Sequence, residues 1–129
     1  PGAPEALASL AGRAQIIVVT NVPLQQREAR IRSLKRQGMD YPVVANLGLK
    51  GAIIKYLAEM VEAPVYFLDD LPHNLTSVAQ TADHVHRLHF IADERLADLL
   101  GPADDCHHRA DNWPEMHAYI DRHLAEQGY

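Results

Sequence analysis

Val65-Tyr66-Phe67-Leu68-Asp69-Asp70-Leu71-Pro72-His73-Asn74 is the stretch on which the fold turns. Its four apolar residues are β-branched or aromatic in large part and read as a strand buried on both faces. The run stops at two adjacent carboxylates. Pro72 then suits the first turn of a helix, which the pattern extends to about Ala82. Two similar runs lie upstream, Ile16-Ile17-Val18-Val19 and Val43-Val44-Ala45, and also read as strands buried on both faces. Downstream, His84-Val85-His86-Arg87-Leu88-His89-Phe90 mixes polar and apolar residues and reads as an edge strand.

Helical patterns separate these runs. Glu5 to Leu10 precedes the first, and Leu24, Ile31 and Leu34 mark a helix ending at Gly38. Ala52, Ile53, Tyr56, Leu57, Met60 and Val61 keep amphipathic spacing. After the fourth run come a short helix (Asp93 to Leu100), a polar loop (Gly101 to Asn112) and a last helix. Asp111 or Asn112 caps that last helix, Pro114 lies in its first turn, and Met116, Ile120 and Leu124 form its apolar stripe. Strand and helix alternation predicts an α/β fold with a parallel sheet and helices on its faces. No repeat or linker interrupts the chain, which reads as one domain.

The composition narrows the function classes. The 129 residues are 47% hydrophobic and 22% charged, the balance of a globular protein. A net charge of −5 argues against nucleic-acid binding. The lone Cys106 excludes a disulfide framework and suits a reducing, cytoplasmic compartment. No apolar run nears the roughly 20 residues that span a bilayer.

In open parallel α/β sheets, ligands sit beyond the carboxyl ends of the strands. Here those ends carry Thr20-Asn21, Asn46 with Gly48-Leu49-Lys50-Gly51, and Asp69-Asp70. Gathered on one rim, a hydroxyl and an ammonium suit phosphate oxygens, and two carboxylates suit Mg²⁺. The plainer readings are that Thr20 ends a strand and Asp70 caps the following helix. Capping accounts for one aspartate, not two. Lys50 stands in the first turn of its helix, where the macrodipole disfavours a cation.

In this order and spacing, Ile16-Ile17-Val18-Val19-Thr20-Asn21, Leu49-Lys50-Gly51 and Val65 to Asn74 resemble three motifs of the haloacid dehalogenase superfamily. Its members are mostly phosphatases. The resemblance covers about residues 1 to 92 and implies a Rossmann-like, three-layer α/β/α core with a mostly parallel sheet. It implies that Thr20 and Asn21 bind a phosphoryl group and that Lys50 neutralises it. Asp69, Asp70 and Asn74 would hold Mg²⁺. The implied reaction is phosphoester hydrolysis of a phosphorylated small molecule through an aspartyl-phosphate.

The superfamily's first motif, Asp-x-Asp on a central strand, is absent from this sequence. Its place would be between the strands ending at Thr20 and Asp69, a slot about 10 Å wide. Three expectations follow. The sequence is part of a longer chain whose upstream segment carries that strand, or a partner donates it, or the flanking strands pair directly. In each case this chain alone is expected to be inactive. A non-catalytic phosphate- and metal-binding or protein-interaction domain is the alternative. A response-regulator receiver domain uses similar groups in a different order, acidic pair first.

Eight histidines form no standard zinc spacing with Cys106. His84 and His86 read as one face of a strand, and His73 as a neighbour of the Asp70 site. Arg27, Arg30, Arg32, Lys35 and Arg36 read as a solvated helix face.

Overall fold

The computed structural model describes residues 2–91, 93–99, 101 and 103–129. Among them the fold is mixed α/β, with six α-helices and two parallel sheets. In chain order the elements are α1 (Ala3–Leu10), β1 (Val18–Asn21), α2 (Arg27–Arg36), β2 (Val43–Asn46) and α3 (Gly51–Ala58). Then follow β3 (Tyr66–Asp69), α4 (Pro72–Thr81), β4 (His86–Phe90), α5 (Glu94–Leu99), β5 (His108–Ala110) and α6 (Trp113–Glu126). A 3₁₀ turn, Leu24–Gln26, leads into α2. The expected Leu100 end of α5 and Ala92, where the family resemblance stops, lie outside the described residues. Among the described residues no helix is long and apolar enough to cross a membrane. The chain packs as two compact units, Pro1–Gly48 with His117–Tyr129, and Leu49–Met116.

In the first unit β1 and β2 pair in parallel, Val18 beside Val43 and Asn21 beside Asn46. Arg27 Nε donates to Val43 O at 2.9 Å and ties α2 to β2. Arg13 bridges to Asp121 at 2.8 Å and donates to Tyr129 O, fastening the end of α6. Ile120 and Leu124 of the expected stripe are buried. The expectation that β1 is buried on both faces is corrected. Ile17 is 37% exposed, and Val18, Val19 and Thr20 are only half-buried. A two-stranded sheet has too little surface to cover a strand on both faces and both edges.

The second unit holds the order β3-β4-β5, all parallel. β4 is therefore the central strand, not the expected edge. Its polar Arg87 misled because it is held by backbone carbonyls, one nearby and one far off in sequence. Arg87 donates to Asp105 O at 2.7 Å and Asp83 O at 3.0 Å. Thr76 in turn holds the Asp105 carboxylate at 2.7 Å. The edges are β3 and β5, and β5 sits inside the expected polar loop; three residues are too short to show a period. His84 lies in the turn before β4 and does not share its face with His86. Leu75 and Val78 of α4, Val85, Leu88 and Met116 are fully buried and form the core of this unit. Asn112 proves to be the α6 cap, its Oδ1 accepting the Glu115 N–H at 2.9 Å. Glu115 Oε2 answers by accepting the Asp111 N–H at 3.2 Å, close to a capping box.

Two sheets thus replace the one expected sheet. β1 and β3 belong to different sheets, so the direct pairing of flanking strands does not occur. Among the described residues, β1 pairs with β2 alone and β3 with β4 alone.

Candidate functional site

Strand alternation sends Asp69 and Asp70 in different directions. Phe67 and Asp69 are buried, whereas Asp70 emerges into solvent. Burial of a carboxylate demands partners, and Asp69 has three. Its Oδ1 accepts the Leu71 N–H at 2.8 Å. Its Oδ2 accepts from Lys50 Nζ at 2.8 Å and from Asn74 Nδ2 at 3.3 Å. Lys50 stands at the N-cap position of α3, one step before the expected first turn. Its unfavourable place near the positive end of the helix is offset by this carboxylate.

The Lys50 segment is fixed from α4. Asn74 Oδ1 accepts the Lys50 N–H at 3.2 Å, and Ser77 Oγ accepts the Gly51 N–H at 3.0 Å. Two orphan donors of α3 are thus satisfied by side chains one turn apart on α4. The approach is so close that a Cβ on Gly51 would collide with the Ser77 side chain and carbonyl and the Thr81 hydroxyl. Glycine in Leu49-Lys50-Gly51 is therefore a packing requirement.

Asp70 is the less settled carboxylate. Partial withdrawal from water raises its pKa above the ordinary aspartate value, and the adjoining Asp69 carboxyl raises it further through a hydrogen bond and like charge. Asp70 does not cap α4, as the plain reading expected. Leu71 holds the N-cap position, where its side chain has no acceptor to offer the helix, and its own N–H goes to Asp69. Beneath Asp70 lies His89, 1% exposed. Its Nδ1 accepts the Ala103 N–H at 3.0 Å, so Nε2 carries the proton and donates to Asp70 O at 3.1 Å. Sequence reading missed this role for His89. No sequence signal revealed it, since its place directly beside Asp69 comes from the register of β3 and β4.

Beyond the ends of β3 and β4 opens a cavity of about 430 Å³, bordered by Lys50, Asp69 and Asp70. The second unit thus brings together Lys50, Asp69, Asp70 and Asn74. Thr20 and Asn21 belong to the first unit, at the end of β1. There Asn21 Nδ2 donates to Gly48 O at 3.1 Å, and its Oδ1 accepts from Asn46 Nδ2 at 3.2 Å. His73 is exposed. His107 stacks on His86 with ring centroids 4.4 Å apart. Burial pushes the Cys106 thiol above its ordinary pKa. Among the described residues no group of three or more His, Cys, Asp or Glu side chains is placed to hold a metal ion.

Mg²⁺ needs few protein ligands, often one or two carboxylates with waters and substrate phosphate completing the shell. Asp69 Oδ1 accepts one hydrogen bond and keeps acceptor capacity, and Asp70 is exposed beside it. An Asp69 oxygen with spare acceptor capacity and the adjoining exposed Asp70 carboxylate are a fit for such an open site. Asn74 fits less well as a direct ligand, since its Oδ1 is engaged by the Lys50 N–H.

No protein-family model, curated protein or solved structure matches this chain.

Proposed function

We propose that the chain supplies the phosphate- and metal-binding part of a Mg²⁺-dependent phosphoester hydrolase on a Rossmann-like, three-layer core of the haloacid dehalogenase type. The observation that carries this reading is the buried Lys50–Asp69 pair, 2.8 Å apart, with the exposed Asp70 beside it at the mouth of a cavity. Lys50 is held by its pairing so that its ammonium serves an incoming phosphoryl oxygen without a search. Asp69 and Asp70 hold the cation, which when bound polarises the phosphoryl group and offsets its charge. Asn74 acts through Asp69 and the Lys50 backbone. Thr20 and Asn21 are assigned to the phosphoryl group by the family resemblance alone.

No Asp-x-Asp occurs in the 129 residues, so the attacking carboxylate is expected from another segment or a partner strand. That same absence favours the second reading, a non-catalytic phosphate- and metal-binding or interaction domain. Mixing the chain with p-nitrophenyl phosphate and Mg²⁺ tests the assignment of the nucleophile. No turnover is expected from the chain alone. Turnover that Asp70→Asn abolishes would place the nucleophile within these residues and overturn that assignment.

A further inference from the structure

We propose that the cavity beside this site receives the leaving group of the phosphoester, and that this group is aromatic; the inference rests on the phosphoester reading above. The cavity, about 430 Å³, is of the size that small organic ligands use, roughly 300–1,000 Å³. Its lining has two characters. Lys50, Asp69, Asp70 and Asp93 supply charge, whereas Phe90, Leu96 and Trp113 supply apolar surface. The Phe90 and Trp113 rings lie 4.8 Å apart at 41°, an aromatic pair in which each ring fixes the other. Both are half-buried, so part of each ring remains open to a ligand.

The charges near this wall cancel locally. Lys50 is paired with Asp69, and Asp93 with Arg95 at 3.3 Å. Asp70 with a divalent cation would face the phosphoryl end of a ligand and leave the apolar part of the cavity to its uncharged end. A sugar or polyol needs hydrogen-bond partners for its hydroxyls, and besides the Asp93 carboxylate, which Arg95 already engages, the apolar wall offers the indole N–H alone. A flat ring needs none and gains by stacking on Trp113. The chemistry therefore selects an aryl phosphate or another aromatic phosphomonoester.

Trp113 is the chain's single tryptophan, so its fluorescence reports on this wall. With Mg²⁺ present, phenyl phosphate should change that emission saturably. By calorimetry it should bind about tenfold more tightly than inorganic phosphate, the equivalent of burying part of one ring. Trp113→Ala should erase that advantage and Trp113→Phe restore most of it, with inorganic phosphate binding both variants as it binds the wild type. Leu96→Ser, a neutral change at an exposed helix position, should weaken phenyl phosphate alone, and it decides the matter if Trp113→Ala fails to fold. Equal affinity for phenyl phosphate and inorganic phosphate overturns the aromatic inference and leaves the phosphoester reading intact. Phenol binding as tightly as phenyl phosphate also overturns it, because the ring site would then serve something other than a phosphoester. If neither phosphate ligand binds, the phosphoester reading fails and the inference falls with it.

Discussion

Lys50 Nζ lies 2.8 Å from Asp69 Oδ2, with the lysine side chain 15% exposed and the aspartate 3%. A pair this far from water is costly to break from one side, because the remaining charge keeps its desolvation penalty. Lys50→Met should therefore destabilise the protein by about 3 kcal/mol, the lower end for buried pairs, since Leu71 and Asn74 still donate to Asp69. Urea denaturation measures this. A loss below about 1 kcal/mol, the scale of a surface pair, would contradict the burial argument.

Gly51→Ala should also destabilise, by about 1–3 kcal/mol, although alanine is the better helix former. The added Cβ has to displace the Ser77 carbonyl, which is backbone, as well as two hydroxyls. Gly101→Ala is the control, since nothing lies within 4 Å of a Cβ built there. Thermal melts of the two variants should differ clearly. Equal melting temperatures would mean that α3 and α4 do not approach so closely.

Much of this arrangement was legible in the sequence. β2 and β3 announced themselves because Val43-Val44 and Tyr66-Phe67-Leu68 are unbroken apolar runs. Lys50 and the Asp69/Asp70 pair stood out as charges at strand and helix ends. The role of Asn74 was hidden, because its two partners depend on which face of α4 meets α3. β5 was hidden because its partner β4 supplies the order that three mixed residues cannot. β1 misled in the opposite sense. Its Ile-Ile-Val-Val run signals burial, but burial depends on neighbours that a two-stranded sheet does not provide.

Asp70 gives the pH dependence. In metal-free solution the folded protein holds this proton to higher pH than the unfolded chain does. The contribution of Asp70 to stability is thus full below the ordinary value of 3.8 and is lost as pH rises through the raised folded-state pKa. Chemical denaturation across that range should show stability falling with pH for this group, and Asp70→Asn should remove that component. Added Mg²⁺ should reverse the sign by favouring the carboxylate. A wild type and Asp70→Asn with parallel pH profiles would contradict the assigned environment.

Cover also predicts dynamics. Hydrogen exchange follows local opening, which is easier where few apolar contacts must separate. β4 is central and contains the buried Leu88 and His89, whereas no residue of β1 is buried. Mass-resolved exchange should therefore find peptides spanning 16–21 labelled well before those spanning 85–90. Slower exchange in β1 than in β4 would contradict this order.

Lys50, Asp69 and Asp70 are proposed to form one place for a divalent cation and a phosphate. Calorimetric titration of inorganic phosphate into the chain, with Mg²⁺ and with the metal chelated, is the deciding experiment. Binding should require Mg²⁺ and weaken about tenfold or more in Asp70→Asn, in line with the loss of one charged contact. Phosphate binding that ignores both the metal and the substitution, or no binding at all, would contradict it.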